Sequence, residues 1–195
     1  YLPFISFGEM PIANGFLKAI QFETEYYFSL QVGYCSNCNM VQLVEQPERE
    51  LMFHEDYAFF SSTSKRQEIH FKEFANLIKE YYLESNNPFV VELGSNDGIM
   101  LQNFARDGIR HLGIEPSKNV AKVALEKGIN TVTEFFDEKL AAKIIEENGQ
   151  ADAILAANVM CHIPYLHSVV SGFKKLLKPD GIIMFEDPYL GDIVE

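Results

Sequence analysis

The segment Val90-Val91-Glu92-Leu93-Gly94-Ser95-Asn96-Asp97-Gly98, with Gly113-Ile114-Glu115-Pro116 after it, constrains this fold most. The pattern predicts a buried strand, a glycine-bounded loop, a helix over 99–106 and a second strand over 111–114 that ends in an acid. That is the first βαβ unit of a nucleotide-binding sheet, with Glu115 placed to accept hydrogen bonds from a ribose. The loop departs from the dinucleotide fingerprint. Asn96 and Asp97 stand where Gly-x-Gly would bring a pyrophosphate close. A polar, acid-containing loop suits a cofactor with a ribose and an amino group but no phosphate, and S-adenosylmethionine has that chemistry.

Helix and strand alternate through the rest of the chain. Ser64 and Gln67 form a capping-box pattern before a helix whose predicted inner face is Ile69, Phe74, Leu77, Ile78 and Tyr81. A helix starts near Ser117, carries Val120, Val123 and Ala124 inward, and stops at Gly128. A short strand lies near 130–133, and Asp137 caps the next helix. The wholly apolar run 153–157 reads as a central parallel strand. Leu166, Val169, Val170, Phe173 and Leu177 mark one face of a further helix. Pro179-Asp180-Gly181 then turns the chain into a strand over 182–185. Five strands alternating with helices predict an α/β, doubly wound parallel sheet. The aromatic-rich first part, with short strands near 29–32 and 40–43 around Cys35 and Cys38, reads as a separate small module. The expected domains are 1–63 and 64–195.

The ordered motifs resemble a known family. Glu92-Leu93-Gly94-Ser95-Asn96-Asp97-Gly98, Gly113-Ile114-Glu115-Pro116-Ser117 and Asn158-Val159-Met160-Cys161-His162-Ile163 are similar to segments of the sugar C-methyltransferases. So are Gly8-Glu9-Met10-Pro11-Ile12-Ala13-Asn14, Gly33-Tyr34-Cys35-Ser36-Asn37-Cys38 and Tyr57-Ala58-Phe59-Phe60-Ser61-Ser62-Thr63-Ser64. The resemblance spans nearly the whole chain in order. It implies a Rossmann-like class I methyltransferase domain behind an N-terminal zinc-knuckle module. The implied reaction is methylation of a carbon of a nucleotide-linked ketosugar. It also implies two further strands, a C-terminal domain and a tyrosine-histidine-glutamate-histidine motif past Glu195, so the chain is expected to be a piece cut at both ends.

The candidate cofactor set is Glu92, Gly94, Ser95, Asn96, Asp97, Gly98, Glu115 and Pro116, with Asn158 past the central strand. Asp97 or Glu92 can receive the cofactor's ammonium, and Glu115 can take the ribose hydroxyls. The alternative is a generic strand-turn-helix without a ligand. Phe135 and Phe136 follow the third strand, where they can wall an adenine or belong to the core. His162 follows the central strand, and ligands bind at the carboxyl ends of such strands. A carbon beside a ketone must lose a proton before it attacks a sulfonium methyl. An imidazole can accept that proton or donate to the forming enolate oxygen. The other reading is a surface histidine before Pro164. By resemblance Asn158 lies near the methionine portion, while His162 and Tyr57 face the sugar. Tyr57 also fits plain aromatic packing.

Cys35-x-x-Cys38 supplies two of the four ligands of a tetrahedral zinc site, or forms a turn with two free thiols. The resemblance implies a second cysteine pair that would fall just before Tyr1. His54 and His70 are conceivable substitutes.

Composition narrows the rest. A formal net charge of -12 argues against nucleic-acid binding, which depends on neutralising phosphates. No apolar run is long enough to span a membrane. Three cysteines argue against a disulfide framework and place the chain by default in a reducing cytoplasm. Two rival readings stand beside the methyltransferase: an NAD-dependent nucleotide-sugar enzyme, which calls for a phosphate-friendly loop, and a noncatalytic binding module. The sugar, the methylated carbon, the nucleotide and the oligomeric state are not encoded in any motif.

Overall fold

The computed structural model describes residues 2–194 and divides into two compact units, Tyr1–Phe59 and Phe60–Glu195. The first unit is an antiparallel sheet of β1 (Leu2–Pro11), β2 (Tyr27–Tyr34) and β3 (Val41–Leu43), followed by the single helical turn α1 (Arg49–Met52). Register shifts interrupt the β1–β2 ladder at Pro3/Ile5 and Ser6/Glu9. Among the described residues, Phe28 is the one buried large apolar side chain of this unit. So thin a core is typical of small modules held by a staple such as a metal.

The second unit carries a five-stranded, all-parallel sheet in the order β6-β5-β4-β7-β8. These strands are β4 (Phe89–Leu93), β5 (Arg110–Ile114), β6 (Thr131–Val132), β7 (Ala151–Ala157) and β8 (Leu177–Glu186). β4 is buried along its whole length, as a central strand covered on both faces must be. Its side chains alternate between two cores. Phe89, Val91 and Leu93 pack with Leu140, Ala141 and Ile144 of α5 (Glu138–Asn148) and with Val169, Phe173 and Leu176 of α6 (Leu166–Leu176). Val90 packs on the other side with Phe71, Ala75 and Ile78 of α2 (Lys65–Tyr81) and with the segment Ile99 to Phe104. Ala124 of α4 (Lys118–Glu126) joins that side. The chain builds outward from β4 through β5 to β6, then returns to the other flank of β4 as β7. The reversal between β4 and β7 is the topological switch point at which such sheets bind ligands.

The five strands and the caps agree with the sequence pattern. The Asp137 carboxylate accepts from the Lys139 and Leu140 N–H groups at 2.9 and 2.8 Å. Ser64 caps α2 by accepting from Gln67 N–H, but the Gln67 side-chain oxygen is buried without a partner, so only half of the capping box forms.

Several local expectations are corrected. α2 turns Phe71, Ala75 and Ile78 inward, while Ile69, Leu77 and Tyr81 face solvent. The helix has apolar residues on several sides, so periodicity alone did not fix its rotation. The helix expected over 99–106 shortens to α3 (Gln102–Ala105), preceded by turns in which the Asn103 side-chain amide donates to the Ile99 and Met100 carbonyls. On α6 Val170 is exposed and Leu176 takes the inner position. Pro179-Asp180-Gly181 is an irregularity inside β8, not a turn before it: Ala151 pairs with Leu177 and Ala153 with Ile182. Among the described residues no helix is long and apolar enough to cross a membrane.

Candidate functional site

The loop after β4 is held by the end of its neighbour. Gly94 and Ser95 N–H donate to the Ile114 carbonyl at 2.8 and 3.3 Å, and Gly98 N–H closes the turn onto Ser95 O at 3.0 Å. Gly94, Asn96 and Gly98 all have positive φ, at 59°, 49° and 78°. Gly94 has a second requirement: a Cβ there would lie 2.4 Å from Val159 Cγ2. The loop thus brings bare backbone to the carboxyl ends of the central strands.

Glu115 sits at the end of β5 and is buried. Its Oε2 accepts from Asn96 N–H at 3.0 Å and its Oε1 from Ser117 N–H at 2.8 Å. Burial pushes its carboxyl up, opposed by the hydrogen bonds from Ser117 and Asn96. A carboxylate has about four acceptor positions, so these donors leave it able to accept again. The residue is buried, held by neighbouring donors and still able to accept, which fits the hydroxyls of a ribose. Pro116 beside it is half-buried.

The other polar groups of the loop divide. Asn96 Oδ1 accepts from Ser61 N–H at 2.8 Å. The Asp97 carboxylate accepts from the backbone and hydroxyl of Ser62 and pairs with Lys127 Nζ at 3.3 Å. Lys127 also donates to Asp97 O at 2.9 Å. Asp97 is therefore engaged within the protein. Glu92 remains. It is 3% exposed, and its Oε2 has no hydrogen-bond partner. Burial, then Glu115 and Asp97, push its carboxyl well above the ordinary range. Ser95 Oγ is likewise buried and unpartnered. Orphaned polar atoms gathered along one strand and loop are the donors and acceptors a polar ligand would satisfy.

Past β7, Asn158 adopts φ 57° and is exposed, and its N–H donates to Glu186 O at 2.7 Å. Val159 covers Gly94. His162 ends a 3-10 turn, Met160–His162, with its N–H on Val159 O at 3.0 Å and its side chain exposed. Of the two phenylalanines, Phe135 is half-buried. Phe136 packs in the core, its ring 5.4 Å from that of Phe173 and against Gly172. Burial, then Asp187, push the Cys161 thiol up to about 12. Tyr57 lies in the first unit, its ring 5.6 Å from Phe53. Sequence reasoning missed Ser61, Ser62 and Lys127, which support the loop, and the His70–Glu186 pair at 2.9 Å.

Cys35 and Cys38 flank the hairpin turn between β2 and β3. Cys35 N–H donates to Met40 O at 2.9 Å, Asn39 N–H to Cys35 O at 2.8 Å, and Asn39 takes φ 61°. The N–H of Cys38, then that of Asn37 and the Cys38 side chain, lower the Cys35 thiol. A turn that favours thiolate fits zinc, and it supplies two donors. Among the described residues no three His, Cys, Asp or Glu gather into a metal cluster. His54 Nδ1 accepts from Asp56 N–H, and His70 is paired with Glu186. Metal analysis of the purified chain is expected to find well under one zinc per molecule, because two thiolates leave two coordination positions open. One tightly held zinc per chain would mean that another group completes the site.

Comparison with known proteins bears on both units. The family described as "Methyltransferase domain" matches residues 64–193, and the one described as "Putative zinc binding domain" matches residues 1–53. C-methyltransferase NovU of Streptomyces niveus is 30% identical over 196 residues, covering 100% of this chain and 46% of its own length. A ubiquinone biosynthesis O-methyltransferase of Escherichia coli (Crooks strain) is 26% identical over 155 residues, 72% of this chain and 64% of that protein. The chain thus spans less than two thirds of these relatives. Among solved structures, the plantazolicin methyltransferase BpumL superposes with a TM-score of 0.55 at 17% identity, over 69% of this chain and 54% of that one. The PH0226 protein of Pyrococcus horikoshii OT3 does so at 0.54 and 20%, over 70% and 61%. These two speak for the fold alone. A Rossmann-like sheet with a buried acid at its second strand, matched over two thirds of its length, leaves one assignment: the chain belongs to the methyltransferase-domain family, with the zinc-binding family's domain at its N-terminus.

Proposed function

We propose that this chain is the cofactor-binding part of an S-adenosylmethionine-dependent C-methyltransferase that acts on a nucleotide-linked ketosugar. The observation that carries the cofactor is Glu115, buried at the end of β5 with one backbone donor on each oxygen. The 30% identity to a C-methyltransferase along the whole chain supports transfer to carbon, and the ordered motifs support a sugar acceptor. Glu115 would hold the ribose, Glu92 and Ser95 would face the amino-acid portion, and Gly94 and Gly98 would let the backbone approach. Pro116 and Phe135 would border the adenine, and Asn158 would lie near the methionine portion. When bound, the cofactor supplies an electrophilic methyl group on a sulfonium. His162 would manage the proton of the acceptor carbon and its enolate. Holding both reactants in line supplies much of the acceleration.

Calorimetry with S-adenosylhomocysteine and with NAD tests this reading. Binding of the first and not of the second is expected, since Asn96 and Asp97 occupy the positions where glycines would admit a pyrophosphate. Glu115→Ala should weaken S-adenosylhomocysteine about tenfold or more, because a hydrogen bond to a charged group contributes roughly 1.5–3 kcal/mol. Unchanged affinity in a folded variant would remove Glu115 from the site.

A further inference from the structure

Glu92 is a carboxyl group whose surroundings do not support its charge. It lies inside β4, on the same side of the strand as Val90. β7 presents Leu155 beside it, α2 presents Phe71, Ala75 and Ile78 on this side, and the segment before and within α3 presents Ile99, Leu101 and Phe104. None of these titrates. The charged groups that reach Glu92 are acids: Glu115 at the end of β5 and Asp97 in the loop. Lys127, at the end of α4, spends its ammonium on Asp97 and on the Asp97 carbonyl. Oε2 of Glu92 has no donor. The one group that favours its charged form is the Leu101 N–H, which does not outweigh burial beside two acids, and a carboxyl so placed keeps its proton.

Glu92 therefore holds a proton in the free protein, and a ligand that brings positive charge can release it. Both ligands carry an ammonium and a carboxylate, and S-adenosylmethionine adds a sulfonium, so it is a net cation where S-adenosylhomocysteine is a neutral zwitterion. On the cofactor reading above, we propose that Glu92 is a specificity-determining residue that exchanges its proton for the cofactor's positive charge, so that S-adenosylmethionine expels a proton on binding more completely than S-adenosylhomocysteine does. The exchange is balanced: the carboxyl O–H bond breaks, the proton goes to solvent, and the carboxylate left behind is neutralised by the ligand's cation.

The direction of the pH dependence follows. The free protein binds this proton more tightly than the complex does, so affinity for S-adenosylmethionine rises with pH until Glu92 of the free protein has ionised. The free chain behaves oppositely in stability. Its folded state holds the proton more tightly than the unfolded chain, whose carboxyl titrates near 4.5, so stability falls as pH rises above that value until Glu92 has ionised. Glu115, also pushed up, contributes in the same sense.

The test is isothermal calorimetry of the chain with each ligand, at one weakly acidic pH, in two buffers of different ionisation enthalpy. The buffer dependence of the heat counts protons. S-adenosylmethionine is expected to release up to about one proton, and S-adenosylhomocysteine distinctly fewer. Glu92→Gln, which keeps the shape and cannot ionise, should abolish the difference and flatten the pH dependence of affinity. Equal proton counts for the two ligands would overturn the proposal, as would a Glu92→Gln protein that still releases the proton. The wild-type comparison stands even if the variant does not fold. Failure of both ligands to bind the wild-type chain would instead remove the cofactor reading, and the proposal with it.

Discussion

Replacing His162 by alanine is expected to leave S-adenosylhomocysteine affinity nearly unchanged and to slow methyl transfer by about 10²–10⁴-fold, the usual contribution of a positioned general acid or base. The split between binding and rate follows from position. Glu115, the loop glycines and Glu92 sit on and just past β4 and β5. His162 sits past β7, at the end of a 3-10 turn whose backbone is pinned to Val159. Val159 is also the side chain that covers Gly94. The backbone of His162 is thus tied through Val159 to the glycine loop without being one of its supports. The measurement needs a protein that contains this chain and turns over. Single-turnover methyl transfer should fall, and so should solvent deuterium exchange at the sugar carbon beside the ketone. If both survive the substitution, another group moves the proton.

The parts of this molecule that were legible in the sequence are those that local rules decide. β4 and β7 are apolar runs of strand length, and no helix period competes with them. Glu115 was legible because the acid at the end of the second strand has a fixed register to the glycine loop. What escaped were groups whose partners lie far along the chain. Asn96 and Asp97 accept from Ser61 and Ser62, 35 residues upstream. Lys127 reaches the same loop from 30 residues downstream, and nothing in a lysine at a helix end announces such a partner. Phe136 was ambiguous for a related reason: an aromatic after a strand fits either a ligand wall or a core, and no local pattern announces the packing of Phe173 against it. The face of α2 was misjudged because its apolar residues are spread around the helix, and the sheet, not the period, chose which of them to cover.

Gly94 tests how tightly the cofactor loop is built. Gly94→Ala adds one carbon at a residue with φ 59°. The left-handed conformation costs an alanine about 1–2 kcal/mol. The new Cβ would also meet Val159 Cγ2 at 2.4 Å, so Val159 or the loop must move, and such overpacking costs typically about 1–3 kcal/mol. Together the two effects amount to roughly 2–5 kcal/mol, a large share of the 5–15 kcal/mol that holds a typical domain. Gly128 is the control. It has φ 78° and nothing within 4 Å of an added Cβ, so Gly128→Ala carries the conformational cost alone. Thermal denaturation should therefore show a clearly larger loss for Gly94→Ala than for Gly128→Ala, at about 2–4 °C per kcal/mol for a chain of this size. Val159→Ala in the Gly94→Ala background should recover the steric part and leave the conformational part, and a double-mutant cycle measures that coupling. S-adenosylhomocysteine affinity should fall with Gly94→Ala and not with Gly128→Ala, because only the first displaces backbone in the crevice. Equal losses at the two glycines, with no coupling to Val159, would mean that the loop yields freely and that close approach is not what Gly94 is there to allow.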